Sequence, residues 1–257
     1  LVSEGVKEIT LLGQNVNSYG RDLYGEPAFA QLLDAVADTG ILRLGFATSH
    51  PKDMTDETIA VMAKRSEILD YLHLPFQSGS SRILKAMNRK YNREDYLELV
   101  RKIRSAMPKI SLSTDIIVGF PGETEEDFEE TLSLYKQAEI SQAFMFIYSP
   151  REETPAATYP DQISKQVAQP RFDRLVELVQ AQAYLHNQEL IGTIQKVFFE
   201  GTSKRDDSML TGRTRGAKVV HLKLPSGKSV KDFIGKEFEV QITSAQTWFL
   251  LGELCEK

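Results

Sequence analysis

The sequence predicts an α/β domain built on a parallel sheet, followed by a small all-β barrel. Over the first 150 residues, short apolar runs alternate five times with amphipathic stretches, as βα units do. Beyond Gly192 the period switches to short β runs punctuated by glycines, a pattern that suits a five-stranded barrel. Charge divides the same way. Residues 196–236 hold ten basic residues against four acidic ones, a net +6, whereas the whole chain carries −5. The rest must therefore carry −11, and the asymmetry points the C-terminal part toward a polyanion.

In order, the expected strands of the first part are Glu8–Leu12, Arg43–Thr48, Tyr71–Pro75, Ser111–Val118 and Gln142–Tyr148. Their Ile, Val, Leu and Phe content suits a covered sheet. Helices are expected at 27–39, 55–66, 80–87, 93–107 and 124–138. Asn92 with Asp95, and Thr124 with Asp127, stand three residues apart ahead of apolar positions at helical spacing, the signature of a capped N-terminus. Pro150, Pro155 and Pro160 make 149–163 a loop. A long helix follows, with Phe172, Leu175, Val176, Val179 and Ala183 on one face, and Pro170 is expected to start or kink it. The barrel strands are expected at 193–200, 209–214, 218–224, 237–243 and 247–254, punctuated by Gly201, Gly212, Gly216, Gly227 and Gly235. The domains are placed at 1–186 and 187–257.

Composition narrows the class. At 257 residues, 41% apolar and 26% charged, the chain can bury a sizeable core. Its one cysteine, Cys255, excludes a disulfide scaffold and a multi-thiolate metal site within this sequence. No apolar run is long enough for a membrane helix. The opening residues carry no initiator Met and read as the last turn of a helix stopped by Gly5, so the chain is expected to be a fragment of a longer protein.

Parallel α/β sheets bind ligands at the carboxyl ends of their strands. The segments there are Gly13-Gln14-Asn15-Val16-Asn17-Ser18-Tyr19-Gly20, Thr48-Ser49-His50-Pro51, Gln77-Ser78-Gly79-Ser80 and Gly119-Phe120-Pro121-Gly122-Glu123-Thr124. Any one of them is explained by turn chemistry. Amides directly after strands also offer the paired donors and acceptors that recognise amino-acid and purine groups. His50, in such a loop, is a possible contact, whereas His73 lies within a strand and reads equally as a core histidine. Asp115 and Glu123 are the nearest approach to paired carboxylates, but their spacing does not bring them to one face.

These motifs, with Met87-Asn88-Arg89, Ser113-Thr114-Asp115-Ile116-Ile117-Val118 and Tyr148-Ser149-Pro150-Arg151, resemble the methylthiotransferases of the radical S-adenosylmethionine class. Residues 193–254, with Leu210-Thr211-Gly212-Arg213-Thr214-Arg215, resemble the TRAM domain that ends those enzymes. Thr48-Ser49-His50-Pro51 and the Gly13–Tyr19 loop resemble the tRNA-modifying, MiaB-type branch. The resemblance implies a partial (β/α)6 radical-SAM barrel, here lacking its first unit, followed by a TRAM barrel. It implies S-adenosylmethionine and two four-iron, four-sulfur clusters in a parent enzyme. It further implies a tRNA substrate methylthiolated at C2 of N6-isopentenyladenosine beside the anticodon, an electron donor and a cytoplasmic location.

By motif, Gly13, Gln14 and Asn15 would face the methionine end of the cofactor. Ser49, Gln77 and Ser78 would reach cofactor or base, and Asp115 and Gly119 would flank ribose and adenine. For RNA the candidates are Arg213, Arg215 and Lys218, then Lys204 and Arg205. Phe198, Phe199 and Trp248 are either stacking groups or barrel core. The sequence departs from the family in having no CxxxCxxC, so the chain is expected to bind no metal and to be inactive alone. Alternatives are the branch modifying a ribosomal protein and a non-catalytic RNA-binding α/β protein. A cofactor-free barrel enzyme would need a lysine or paired carboxylates at the strand ends, where amides, hydroxyls and glycines stand instead.

Overall fold

A computed structural model describes residues 1–255. Its first half contains β1 (Glu8–Leu11), β2 (Arg43–Phe46), β3 (Tyr71–His73), β4 (Ser111–Val118) and β5 (Gln142–Ile147). β1 pairs with β2, and β3, β4 and β5 pair in that order, all parallel. A bridge between Leu44 and Ile68 joins the two groups, with Leu44 N donating to Glu67 O and Leu69 N to Leu44 O. The result is one run of five parallel strands in sequence order. Strands β2 and β3 are shorter than expected, because Ala47–Thr48 and Leu74–Pro75 already turn into rim loops.

Helices α1 (Arg21–Tyr24), α2 (Phe29–Ala37), α3 (Asp56–Lys64), α4 (Ser81–Ala86), α5 (Arg93–Ala106) and α6 (Glu125–Gln137) connect these strands. The one-turn α1 was not anticipated. Both expected caps form as reciprocal capping boxes: Asn92 and Thr124 accept from the backbone three residues on, and Asp95 and Asp127 accept in return. The last helix, α7 (Lys165–Gln188), begins five residues before Pro170, so the proline does not start it. Pro170 stands in the second turn and leaves the Gln166 carbonyl without its usual helical donor. Leu33, Leu44, Leu72, Phe76, Leu112 and Phe128 lie in the core between the strands and these helices.

The C-terminal part is a closed barrel of β6 (Ile194–Ser203), β7 (Asp206–Thr214), β8 (Val219–Lys223), β9 (Glu237–Ala245) and β10 (Leu250–Leu254). It has its own core of Val197, Phe199, Leu210, Val220, Val240 and Leu250. Gly201 lies inside β6 rather than just after it, and Gly212 lies inside β7. Gly201 follows a bulge in β6, and a Cβ on Gly212 would stand 2.5 Å from the Phe198 carbonyl of the paired strand. At Gly212 glycine serves for close approach, whereas around Gly201 the space is open.

The barrel docks against the amino-terminal ends of the parallel strands. Arg43, at the start of β2, is 1% exposed. It donates to Glu8 Oε2 at 2.5 Å, to Glu237 Oε2 at 3.1 Å and to the Thr214 carbonyl at 3.1 Å, and it stands over the Phe198 ring. Arg215 donates to the Ser66 and Ile68 carbonyls at 2.5 and 2.6 Å and to Asp70 at 3.2 Å. From the end of α7, Asn187 donates to the Gln246 and Thr247 carbonyls.

Candidate active site

The carboxyl ends of the five strands lie opposite that seam. After β1, the chain turns through Gly13 and Gln14, both exposed, into the short helical turn Val16–Ser18. Val16 N donates to the Thr48 carbonyl, tying this loop to the one after β2. Asn15 Nδ2 donates to Asp53 Oδ2 at 2.6 Å, while its Oδ1 is buried without a partner. The Ser49 hydroxyl is buried and unpartnered as well. Asn17 accepts from His50 N at 3.1 Å. One rim thus carries two buried oxygens that the described residues leave unpaired, which is what a polar ligand site needs before its ligand arrives.

His50 stands among donors in the loop after β2. Its Nδ1 faces the Lys52 N–H at 3.3 Å and its Nε2 faces Arg89 Nη1 at 3.4 Å. Nδ1 can accept from the Lys52 N–H in the Nε2–H tautomer, and the nearby Arg89 guanidinium disfavours an imidazolium. Burial first, then the Arg89 charge, lowers its pKa.

Gln77 holds a left-handed conformation and pairs by backbone with Asp115 and Ile117, which fixes the loop after β3 to β4. Ser78 belongs to the packing of α6: its hydroxyl lies 3.4 Å from Thr131 Oγ1 and accepts from Ser80 N. Gly79 makes this possible, since a Cβ there would stand 2.4 Å from the Glu130 carbonyl and from Thr131 Cα. Gly119 takes a positive φ, and its N–H donates to Glu123 Oε2 at 2.8 Å. Glu123 is buried against Arg171, and burial raises its carboxyl pKa against the pull of the Gly119 N–H and Arg171. It orders the loop and does not meet Asp115.

Asp115 faces inward, one strand over from His73. The inner faces of β3, β4 and β5 carry a connected set: Tyr71 Oη to Ser113 Oγ at 2.6 Å, Ser113 Oγ to His73 Nδ1 at 2.8 Å, and His73 Nε2 to Asp115 Oδ1 at 3.5 Å. In the Nε2–H tautomer, Ser113 donates to His73 Nδ1, Tyr71 donates to Ser113, and the imidazole N–H faces Asp115 Oδ1 at 3.5 Å. Phe144, the register partner of Asp115, lies edge-to-face with His73 at 5.7 Å. Sequence reading missed this set, although its signal was present: polar Ser111, Ser113 and Asp115 alternate with apolar Leu112, Ile116 and Val118.

The basic candidates separate. Lys204 and Arg205 lie exposed at the β6–β7 turn, and Arg213 is exposed on β7 beside Glu200. Arg215 is committed to the domain seam. Lys218 is half-buried, and desolvation lowers its ammonium pKa to about 8, with Glu189 opposing. Phe199 is core, Phe198 sits under Arg43, and Trp248 alone of the three aromatics is half-exposed. Among the described residues, no three His, Cys, Asp or Glu side chains gather to hold a metal, and no helix is long and apolar enough to cross a membrane.

Comparison with known proteins agrees with this layout. A family model described as the radical SAM superfamily matches residues 1–135, and one for the TRAM domain matches residues 188–255. Curated relatives include the tRNA-2-methylthio-N(6)-dimethylallyladenosine synthase of Clostridium botulinum (strain Okra / Type B1), 53% identical over 98% of this chain and 55% of its own length. The protein of that name from Geobacillus kaustophilus is 50% identical over 99% of this chain and 47% of its own. The chain spans about half the length of the curated relatives it matches. Among solved structures, the Escherichia coli coproporphyrinogen III oxidase HemN, a radical SAM enzyme, superposes with a TM-score of 0.50 at 12% identity. The match covers 80% of this chain and 54% of that one. On the strength of its matched domain and its relatives, the chain belongs to the radical SAM superfamily and carries a TRAM domain at its C-terminal end.

Proposed function

We propose that this chain supplies the cofactor-binding rim and RNA-binding barrel of a methylthiotransferase acting on N6-dimethylallyladenosine in tRNA. The observation that carries the reading is the 53% identity, across 98% of the chain, to an enzyme named for that reaction. The rim supports it. The unpaired Asn15 Oδ1 and Ser49 Oγ, with the exposed Gly13–Gln14 backbone, fit the ammonium, carboxylate and hydroxyl groups of S-adenosylmethionine. Gln77 and Gly119 lie in loops at the same strand ends. When bound, that cofactor would supply radical chemistry for removing hydrogen from the substrate, on receipt of one electron from a cluster held elsewhere in the parent enzyme. The chain's own part is to hold the cofactor's polar end and orient the base against the inner face. No step is assigned to an iron–sulfur cluster on these residues, because one cysteine at position 255 cannot ligate one.

A large RNA fits better than a free nucleoside. The rim and the TRAM barrel lie at opposite ends of the strands, and eight residues of β4 alone span roughly 25 Å. Lys204, Arg205 and Arg213 are the phosphate contacts of this reading. A cytoplasmic setting and an electron donor belong to the same reading.

The test is to express the complete reading frame, reconstitute it anaerobically with iron and sulfide, and analyse tRNA nucleosides by mass spectrometry. A methylthio group on N6-dimethylallyladenosine is the expected product. Methylthiolation of a ribosomal protein with unmodified tRNA would overturn the reading.

A further inference from the structure

Two aromatic rings on the inner face are half-exposed and lie outside the hydrophobic core. Phe144 and Phe146 are 47% and 52% exposed, while their neighbour Ala143 is buried. They project from β5 on the side occupied by His73, Ser113 and Asp115, since Asp115 pairs in register with Phe144, and Ile117 with Phe146. The open wall is therefore two-part. One strand offers a carboxylate held by a histidine, and the adjacent strand offers apolar surface beside it. His73 Nε2 faces one carboxylate oxygen of Asp115 at 3.5 Å, and no side chain among the described residues bonds the other, which stays available to an incoming donor.

We infer that Phe144 and Phe146 select the five-carbon N6 substituent of the adenine, and that Asp115, positioned by His73, accepts its N6–H. This rests on the proposed substrate. An N6-alkylated adenine keeps one N–H on that nitrogen, and its alkyl group hangs from the same atom. An acceptor for the N–H must then lie within a few ångströms of an apolar surface for the alkyl group. Neighbouring strands stand about 4.8 Å apart, and residues two apart along a strand about 6.6 Å, so Asp115, Phe144 and Phe146 match that separation. Tests of Asp115 as a cofactor ligand and as a substrate acceptor diverge, because S-adenosylmethionine affinity moves only in the first case.

The experiment measures binding and turnover of two anticodon stem-loops, one with N6-dimethylallyladenosine and one with plain adenosine. It uses the reconstituted full-length enzyme, as wild type, F144S/F146S and F144L/F146L. Because both rings are exposed, the variants should melt near the wild-type temperature, which circular dichroism checks. The wild type should prefer the alkylated loop by about 10- to 100-fold, the range for a small apolar group in a pocket. F144S/F146S should lose most of that preference, F144L/F146L should keep most of it, and S-adenosylmethionine affinity should be unchanged in both. D115L should weaken the alkylated loop and leave cofactor affinity intact. An undiminished preference in F144S/F146S, in an enzyme whose wild type methylthiolates the alkylated loop, overturns this inference alone. A wild type that prefers neither loop and modifies neither overturns the proposed substrate and this inference together.

Discussion

Removing the Arg43 guanidinium should loosen the whole molecule, because it ties both domains at once. In Arg43→Met the apolar stem stays, and bonds to Glu8, Glu237 and the Thr214 carbonyl go. Truncating one partner of a buried ion pair costs about 3–5 kcal/mol, mostly because the other charge remains buried. Glu237 is 14% exposed and bears that cost, while Glu8, at 28%, regains some water. The low end, about 3 kcal/mol, is therefore expected. For a chain of this size that amounts to roughly 6–12 °C in melting temperature. The assay is urea unfolding of the 257-residue chain followed by two probes. Far-ultraviolet circular dichroism reports mainly the helices of the α/β half, and fluorescence reports Trp248, the only tryptophan, in the barrel. In the wild type the two transitions should coincide, because docking couples the domains. In Arg43→Met the midpoint should fall and the probes should separate, and Arg43→Lys should fall between. A loss under about 1 kcal/mol with coincident transitions would refute the coupling.

Gly79→Ala places a methyl 2.4 Å from the Glu130 carbonyl and Thr131 Cα, both backbone, so a loss of about 3 kcal/mol is expected by denaturant titration. Gly201→Ala, with nothing within 4 Å, should change stability by under about 0.5 kcal/mol. Lys218 has a folded pKa of about 8 against 10.5 for the free side chain, so the unfolded chain binds more protons between those values. Its contribution to stability must then rise as pH climbs from about 8 to 10.5, and below 8 the desolvation cost is fully present. Lys218→Met should accordingly stabilise the chain near pH 7, by about 1–3 kcal/mol after allowing for partial exposure, and the gain should shrink above pH 9; a destabilised variant at pH 7 would contradict the burial argument. Replacing Lys204, Arg205 and Arg213 with Ala should weaken tRNA binding across different tRNAs, in filter-binding titrations at several salt concentrations. The salt slope should flatten by about one unit per lost phosphate contact.

The βα alternation, the two capping boxes, the rim loops and the switch to a barrel could all be read along the chain, because each depends on residues a few positions apart. Spacing alone sufficed for Asn92 with Asp95, for Thr124 with Asp127, and for the apolar face of α7. Tertiary structure decided what each polar side chain does. Arg43 reads as an unremarkable strand residue, yet Glu237, almost two hundred positions away, makes it the bolt between domains. Arg215 reads as a phosphate contact in a basic segment, yet the carbonyls of Ser66 and Ile68 use its donors. Ser78 reads as a rim hydroxyl, yet the missing side chain of Gly79 lets α6 approach and claim it. His73 reads equally as a core histidine or a functional one, and strand register sets it between Ser113 and Asp115 and beside Phe144. A local pattern fixes which face of an element is apolar; which charge meets which partner depends on distances that only the folded chain sets.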